Sequence, residues 1–277
     1  MASAIAPEPA HRFVPIDDPD DPRIAVFRDI RERDLTGRNG FIAEGTVVLD
    51  QLALSRRFRP TALLVLQNRL AGLAGRLAKL PHDCPVYVAG RDIVDAVAGF
   101  PMHRGVLAHG EDTGGATTRE AAISAAFAQG APILAAIGIA NHDNIGALFR
   151  NARAFGVGGL LLDETSCHPL YRKALRVSVG TVLTQGWHRG GTAGEILAAV
   201  IAAGYRPIAL TPGGTMRIED LGGGRPCALF VGAEGTGLPA ELLERMDGLR
   251  IAMDPSVDSL NVATSAAIVL SRLYASR

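Results

Sequence analysis

The sequence predicts an α/β protein of two domains, and three observations carry that expectation. At 277 residues the chain exceeds the roughly 100 to 200 residues of an ordinary single domain. Short apolar runs of strand type alternate with stretches of helical periodicity along most of it. One segment, AHGEDTGGATTRE, is rich in Gly, Thr and charge without apolar periodicity, and it divides the alternation into two blocks.

In chain order, residues 1–22 hold five prolines and four aspartates and read as a flexible arm. The first domain is then expected over 23–109. Its IAVFRDIRERDL is helical by spacing, FIAEGTVVLDQLALS carries an apolar stripe at helical spacing, and TALLVLQN is a short buried strand. VYVAG reads as a strand, DIVDAVAGF as a helix and GVLAHG as a strand. Residues 110–118 are the expected linker, and 119–277 the second domain. There PILAAIGI, GGLLLD, YRPIALT, PCALFVG and LRIAMD form a ladder of apolar β segments, most of them separated by helical stretches. Runs this continuously apolar suit a parallel sheet covered on both faces.

The composition excludes a disordered tail or a fibre, since 48% of positions are apolar. With 28 Lys+Arg against 28 Asp+Glu, bulk cationic attraction to nucleic acid is absent, although a local basic face is not. Lys79 and Lys173 are the only lysines, so the bases are almost all arginine, which suits planar phosphate recognition but also fits a biased base composition. Cys84, Cys167 and Cys227 are odd in number and lack a CxxC or Cys/His ligand pattern, so neither a disulfide framework nor a metal site is indicated. A reducing cytoplasm is the expected setting. No run approaches the roughly 18 apolar residues that span a bilayer, so no membrane partner is expected.

In an open α/β sheet, ligands bind at the loops leaving the carboxyl ends of the strands. Three such places carry chemistry. PILAAIGI runs into NHDNIGALFRNARAFG, where Asn144 begins a helix and Arg150 follows within two turns, so both can project towards one pocket. A plain helix cap with a solvated arginine is the other reading. PCALFVG ends in a Gly-spaced turn holding Gly232, Glu234, Gly235 and Gly237. It allows close backbone approach to a ligand and offers a carboxylate acceptor, or is simply a tight turn. LRIAMD leads through PSVD into Ser259, Leu260 and Asn261 before the apolar helix ATSAAIVLSRLY, and both Ser259 and Asn261 are also N-cap residue types.

All three elements, in this order and spacing, resemble the SpoU-type RNA 2′-O-ribose methyltransferases of the SPOUT class. The matching segments are NHDNIGALFRNARAFG, LFVGAEGTGLPAELLERMD and IAMDPSVDSLNVATSAAIVL, within about residues 132–277. More weakly, GFIAEGTVVLDQLAL and HRGVLA resemble the L30e-like substrate-binding domain that precedes the catalytic domain in rRNA-modifying members. One departure is NHDN at 141–144, where the family more often has Pro or Gly.

The resemblance implies an L30e-like α/β domain followed by an α/β-knot domain with a C-terminal trefoil knot. It also implies bound S-adenosylmethionine, a homodimer through the catalytic domain, and methyl transfer to a ribose 2′-OH of structured RNA, with rRNA favoured over tRNA. Carried over by position, Leu210, Thr211, Pro212, Gly213, Val231, Gly232, Glu234, Gly237, Ile251, Met253 and Leu260 hold the cofactor. Asn144, Arg150, Glu234, Ser259 and Asn261 form the catalytic set. Family proposals make Arg150 the base, but a normal guanidinium stays protonated, so phosphate binding and orientation by Arg150 is an equal reading. Arg56, Arg57 and Arg59 in the first domain, with Arg172, Lys173 and Arg176 in the second, are candidate RNA contacts, or solvated charge. His103 and His168 read as structural, and LGGGRP as a flexible turn. A non-catalytic RNA-binding homologue is a rival. A dinucleotide oxidoreductase is disfavoured, because no G-x-G-x-x-G follows a first strand.

Overall fold

A computed structural model describes residues 13–28, 40–99, 101–102, 104–114, 118–222 and 226–276. His103 and much of LGGGRP lie outside these residues. The chain forms two units. One runs to Gly115 and takes in Leu170–Arg176; the other holds Ala116–Pro169 and Val177–Arg277. Among the described residues no helix is long and apolar enough to cross a membrane.

The first unit is built on a five-stranded mixed sheet. Its elements are β1 (Phe13–Ile16), a 3-10 turn (Pro22–Phe27), β2 (Gly40–Glu44), α1 (Thr46–Leu54), β3 (Phe58–Leu66), α2 (Ala74–Leu77), β4 (Val86–Ala89), α3 (Arg91–Ala98) and β5 (Val106–Asp112). The strand order is β1-β4-β3-β5-β2, with β5 antiparallel to both β3 and β2. Ile16, Ile24, Phe27, Leu64, Val94 and Met102 pack in its core.

Three sequence readings change here. The expected arm over 1–22 is not unstructured throughout, because Phe13–Ile16 pairs in parallel with β4, and Pro15 is tolerated on this edge strand, where a missing N–H is not missed; its first twelve residues lie outside the described ones. FIAEGTVVLDQLALS is a strand and then a helix, split at Gly45, whose φ of 87° only glycine adopts readily. Finally, β5 continues to Asp112, so the strand takes up the start of the expected linker. Thr118 caps the next helix by accepting from the Ala121 amide at 3.2 Å.

The second unit is a seven-stranded sheet in the order β10-β12-β9-β11-β6-β7-β8, every pairing parallel. In chain order it holds α4 (Arg119–Ala128), β6 (Ile133–Ala136), α5 (His142–Ala154), β7 (Gly159–Leu162), β8 (Trp187–Arg189) and α7 (Ala193–Ala202), while α6 (Arg172–Val177), which lies between β7 and β8 in sequence, falls almost wholly in the stretch that goes with the first unit. Then come β9 (Arg206–Leu210), β10 (Met216–Arg217), β11 (Cys227–Val231), α8 (Ala240–Leu243), β12 (Asp247–Arg250) and α9 (Val262–Ala275). Ile133, Ala135 and Phe230 pack on one face with Ile196 and Val200 of α7. The alternate residues Leu134 and Ala136 are also fully buried, which explains why these strands read as unbroken apolar runs.

The short strands β8 and β10 carry too little apolar sequence to be foreseen. LRIAMD is displaced from its expected register: pairing covers Asp247–Arg250, while Ile251 and Met253 lie in the loop beyond. The strand ends therefore deliver three loops, 211–215, 232–239 and 251–261, from the central strands β9, β11 and β12 to one edge.

Candidate functional site

Those three loops enclose a cavity of about 420 Å³. Leu210, Thr211 and Pro212 line it from the first loop, Val231, Gly232, Glu234 and Gly237 from the second, and Ile251, Met253, Ser259, Leu260 and Asn261 from the third. Every expected cofactor residue is on its wall except Gly213. Ala233 and Gly235 of the expected 231–237 loop line it too, and Val262 and Ser265 do so without having been foreseen. Ser265 was foreseeable, since four residues after Asn261 on a helix is the same face.

Close approach of backbones shapes the second loop. A Cβ built on Gly232 would stand 2.3 Å from the Gly237 carbonyl carbon, and the Gly237 amide donates to the Ala233 carbonyl at 2.9 Å. Gly235 and Gly237 take φ of 86° and 67°. The turn therefore needs its glycines, and it thrusts Glu234 outward into an exposed position.

One oxygen of Glu234 is engaged. Asn144 Nδ2 donates to Glu234 Oε1 at 2.7 Å, and Asn261 Nδ2 lies 3.2 Å from the same oxygen and 2.9 Å from Asn144 Oδ1. Glu234 Oε2 has no hydrogen bond among the described residues. The capping readings resolve differently for the two asparagines. Asn141, rather than Asn144, caps α5 by accepting from the Asp143 amide at 2.8 Å, which leaves the buried Asn144 side chain for Glu234. Asn261 does both jobs: its Oδ1 accepts from the Ala263 and Thr264 amides at 2.9 and 3.3 Å, while its amide faces the triad. Ser259 lines the cavity without capping the helix.

Arg150 is exposed and does not line the cavity. The shared pocket expected for Asn144 and Arg150 is therefore not formed within this chain. At about 100° per residue, six positions leave the two side chains about 120° apart around α5. The basic clusters also differ from expectation. Arg57 is bound to Asp112 at 2.7 Å with its guanidinium over the Phe58 ring, and Arg59 pairs with Asp83 at 2.5 Å; Arg56 is exposed. Arg172, Lys173 and Arg176 lie on α6, where Lys173 and Arg176 are exposed. His168 stands edge-on to Trp187 at 5.8 Å between ring centres.

Comparison with known proteins adds three findings. A family model described as the SpoU rRNA Methylase family matches residues 131–271. An uncharacterized tRNA/rRNA methyltransferase of Mycobacterium tuberculosis is 37% identical over 262 residues, covering 91% of this chain and 88% of its own length. Among solved structures, an AdoMet-bound rRNA methyltransferase from Sinorhizobium meliloti superposes with a TM-score of 0.79 at 20% identity, over 94% of this chain and 97% of that one. An RNA 2′-O ribose methyltransferase superposes with 0.75 at 22% identity, over 95% and 99%. These structural likenesses show a shared fold.

Proposed function

The chain belongs to the SpoU rRNA methylase family, and we propose from this that it transfers a methyl group from S-adenosylmethionine to a ribose 2′-OH of structured RNA, with rRNA the favoured substrate over tRNA. The observation that carries the reading is the meeting of Asn144, Glu234 and Asn261 at the rim of a loop-built cavity at the strand ends.

The residues present fit the cofactor. About 420 Å³ lies in the roughly 300 to 1,000 Å³ range of small-molecule sites. Leu210, Val231, Ile251, Met253 and Leu260 supply apolar walls for a flat ring, and the backbone of the two Gly-containing loops supplies donors and acceptors. Bound there, S-adenosylmethionine supplies an electrophilic methyl on a sulfonium.

Transfer requires the ribose oxygen in line with that methyl, so positioning supplies much of the rate. Asn144 and Asn261 hold Glu234 by one oxygen, which orients the other as an acceptor for a substrate hydroxyl. Ser259 borders the same space. Arg150 binds an RNA phosphate and orients the nucleotide. In this reading the first unit is the L30e-like RNA-binding domain, Arg56 is its open cation among the three foreseen there, and the strand-end loops form a trefoil knot. Homodimerisation is through the second unit. Val257, Leu260, Ile268 and Tyr274 are exposed apolar residues on or before α9, and they support it. Mapping of ribose methylation in rRNA and tRNA from a strain lacking the gene tests the substrate: a missing 2′-O-methyl in rRNA is expected.

A further inference from the structure

Asp163 directly follows β7 and is only 4% exposed, yet it lines no part of the cavity. A buried carboxylate is costly unless its oxygens are satisfied. Here they accept from the Gly138 amide at 2.9 Å, the Ser166 amide at 3.1 Å, the Ser166 hydroxyl at 2.6 Å and the Thr165 hydroxyl. Burial pushes the acid's pKa up, but hydrogen bonds from Ser166, Thr165 and Gly138 outweigh it and hold the carboxyl below its ordinary range.

The partner that matters is Gly138, because it belongs to the loop between β6 and α5. Three consecutive residues of that loop are tied down. Ile137 donates its amide to the Val231 carbonyl at 2.9 Å, on the cavity wall. Gly138 donates to Asp163, and Ile139 donates to the Ser166 hydroxyl at 3.0 Å, while the Ile139 carbonyl accepts from the Cys167 amide at 2.9 Å. Gly138 has φ of 69°, and a Cβ built there would stand 3.4 Å from the Ala233 Cβ. The loop thus threads between the Asp163 turn and the wall residue next to Glu234. Two residues beyond it Asn141 caps α5, and Asn144 follows within the first turn.

We propose that Asp163, with Ser166, is a positioning residue of the site: it sets the height of the 137–140 loop and thereby seats the Asn144 amide on Glu234. This rests on the function proposed above, but one of its tests does not. A residue that merely anchored a turn would cost stability and leave Asn144 in place; a lever acting through Asn144 is coupled to it.

In the full-length chain without ligand, the side-chain amide resonance of Asn144 is recorded by NMR in wild type, Glu234→Ala and Asp163→Ala. Movement in Asp163→Ala towards the Glu234→Ala position is expected, and an unchanged resonance overturns the proposal. Single-turnover methyl transfer to total RNA from the deletion strain is then measured. Asp163→Ala is expected to lose about tenfold to a hundredfold in rate with cofactor affinity within about threefold, and to cost less than about twofold more when Asn144→Ala is already present. Fully additive losses overturn the proposal. Ser166→Ala, which removes the hydroxyl's bonds to Ile139, Asp163 and Ala136 but leaves the carboxylate on the Gly138 amide, is read in the same way if Asp163→Ala does not fold. If wild type transfers no methyl group, the proposed function fails, and the Asn144 resonance alone decides the positioning role.

Discussion

The side-chain amide of Asn144 donates to Glu234 Oε1 at 2.7 Å across ninety positions of sequence. That bond joins the first helix turn after β6 to the glycine turn after β11, and those strands are neighbours in the sheet. Glu234→Gln keeps an acceptor for Asn144 but replaces the open Oε2 by a donor. Methyl transfer is expected to fall about a hundredfold with the melting temperature unchanged, as for loss of a positioned proton acceptor. Activity within twofold of wild type, by the same single-turnover assay, removes Glu234 from the reaction.

Gly232→Ala is expected to abolish cofactor binding in calorimetry, because the new Cβ would stand 2.3 Å from the backbone of Gly237 and force the turn open. Binding at wild-type affinity would mean that the turn is not a cofactor loop.

Arg150→Ala is expected to lose more than about tenfold in single-turnover rate, or over about 1.4 kcal/mol of transition-state stabilisation, while cofactor affinity stays within threefold. The separation follows from geometry, since Arg150 is exposed and off the cavity wall. A parallel loss of cofactor affinity counts against a role confined to RNA.

How much of this was legible in the sequence depended on range. The apolar runs of β6, β7 and β11 announce themselves because both faces of those strands are buried, and a strand buried twice has no polar phase to blur it. Met216–Arg217 pairs over two residues only and leaves no such trace. The glycine spacing around Glu234 pointed to a close-packed turn, and that local chemistry is what the backbone uses. Which asparagine caps α5 was not legible: NHDN offers two candidates, and the choice is made by Glu234 from ninety positions away. For the same reason Arg57 and Arg59 read as open cations, because Asp112 comes to Arg57 through the pairing of β3 with β5 and Asp83 comes to Arg59 from the turn before β4, neither of them a neighbour in sequence.

His109 gives a pH dependence to the first unit. It is buried in β5 with Nδ1 2.6 Å from the Thr61 hydroxyl, and burial lowers its pKa below the ordinary 6.5, against an upward pull from Glu111. The folded state thus binds the proton less readily than the unfolded one. The stability contributed is present above the unfolded pKa and is lost as pH falls towards the folded one. Thermal melts between pH 8 and pH 5 should fall more steeply in wild type than in His109→Gln; parallel curves would place the pH response elsewhere.

The most direct measurement is of the product. Full-length protein is incubated with S-adenosylmethionine labelled in the methyl group and total RNA from the deletion strain, and the RNA is digested to nucleosides. The account predicts label in a single 2′-O-methylated nucleoside from rRNA, lost in Asn144→Ala and Glu234→Gln. Label on a base, or no transfer by a protein that binds the cofactor, would contradict it.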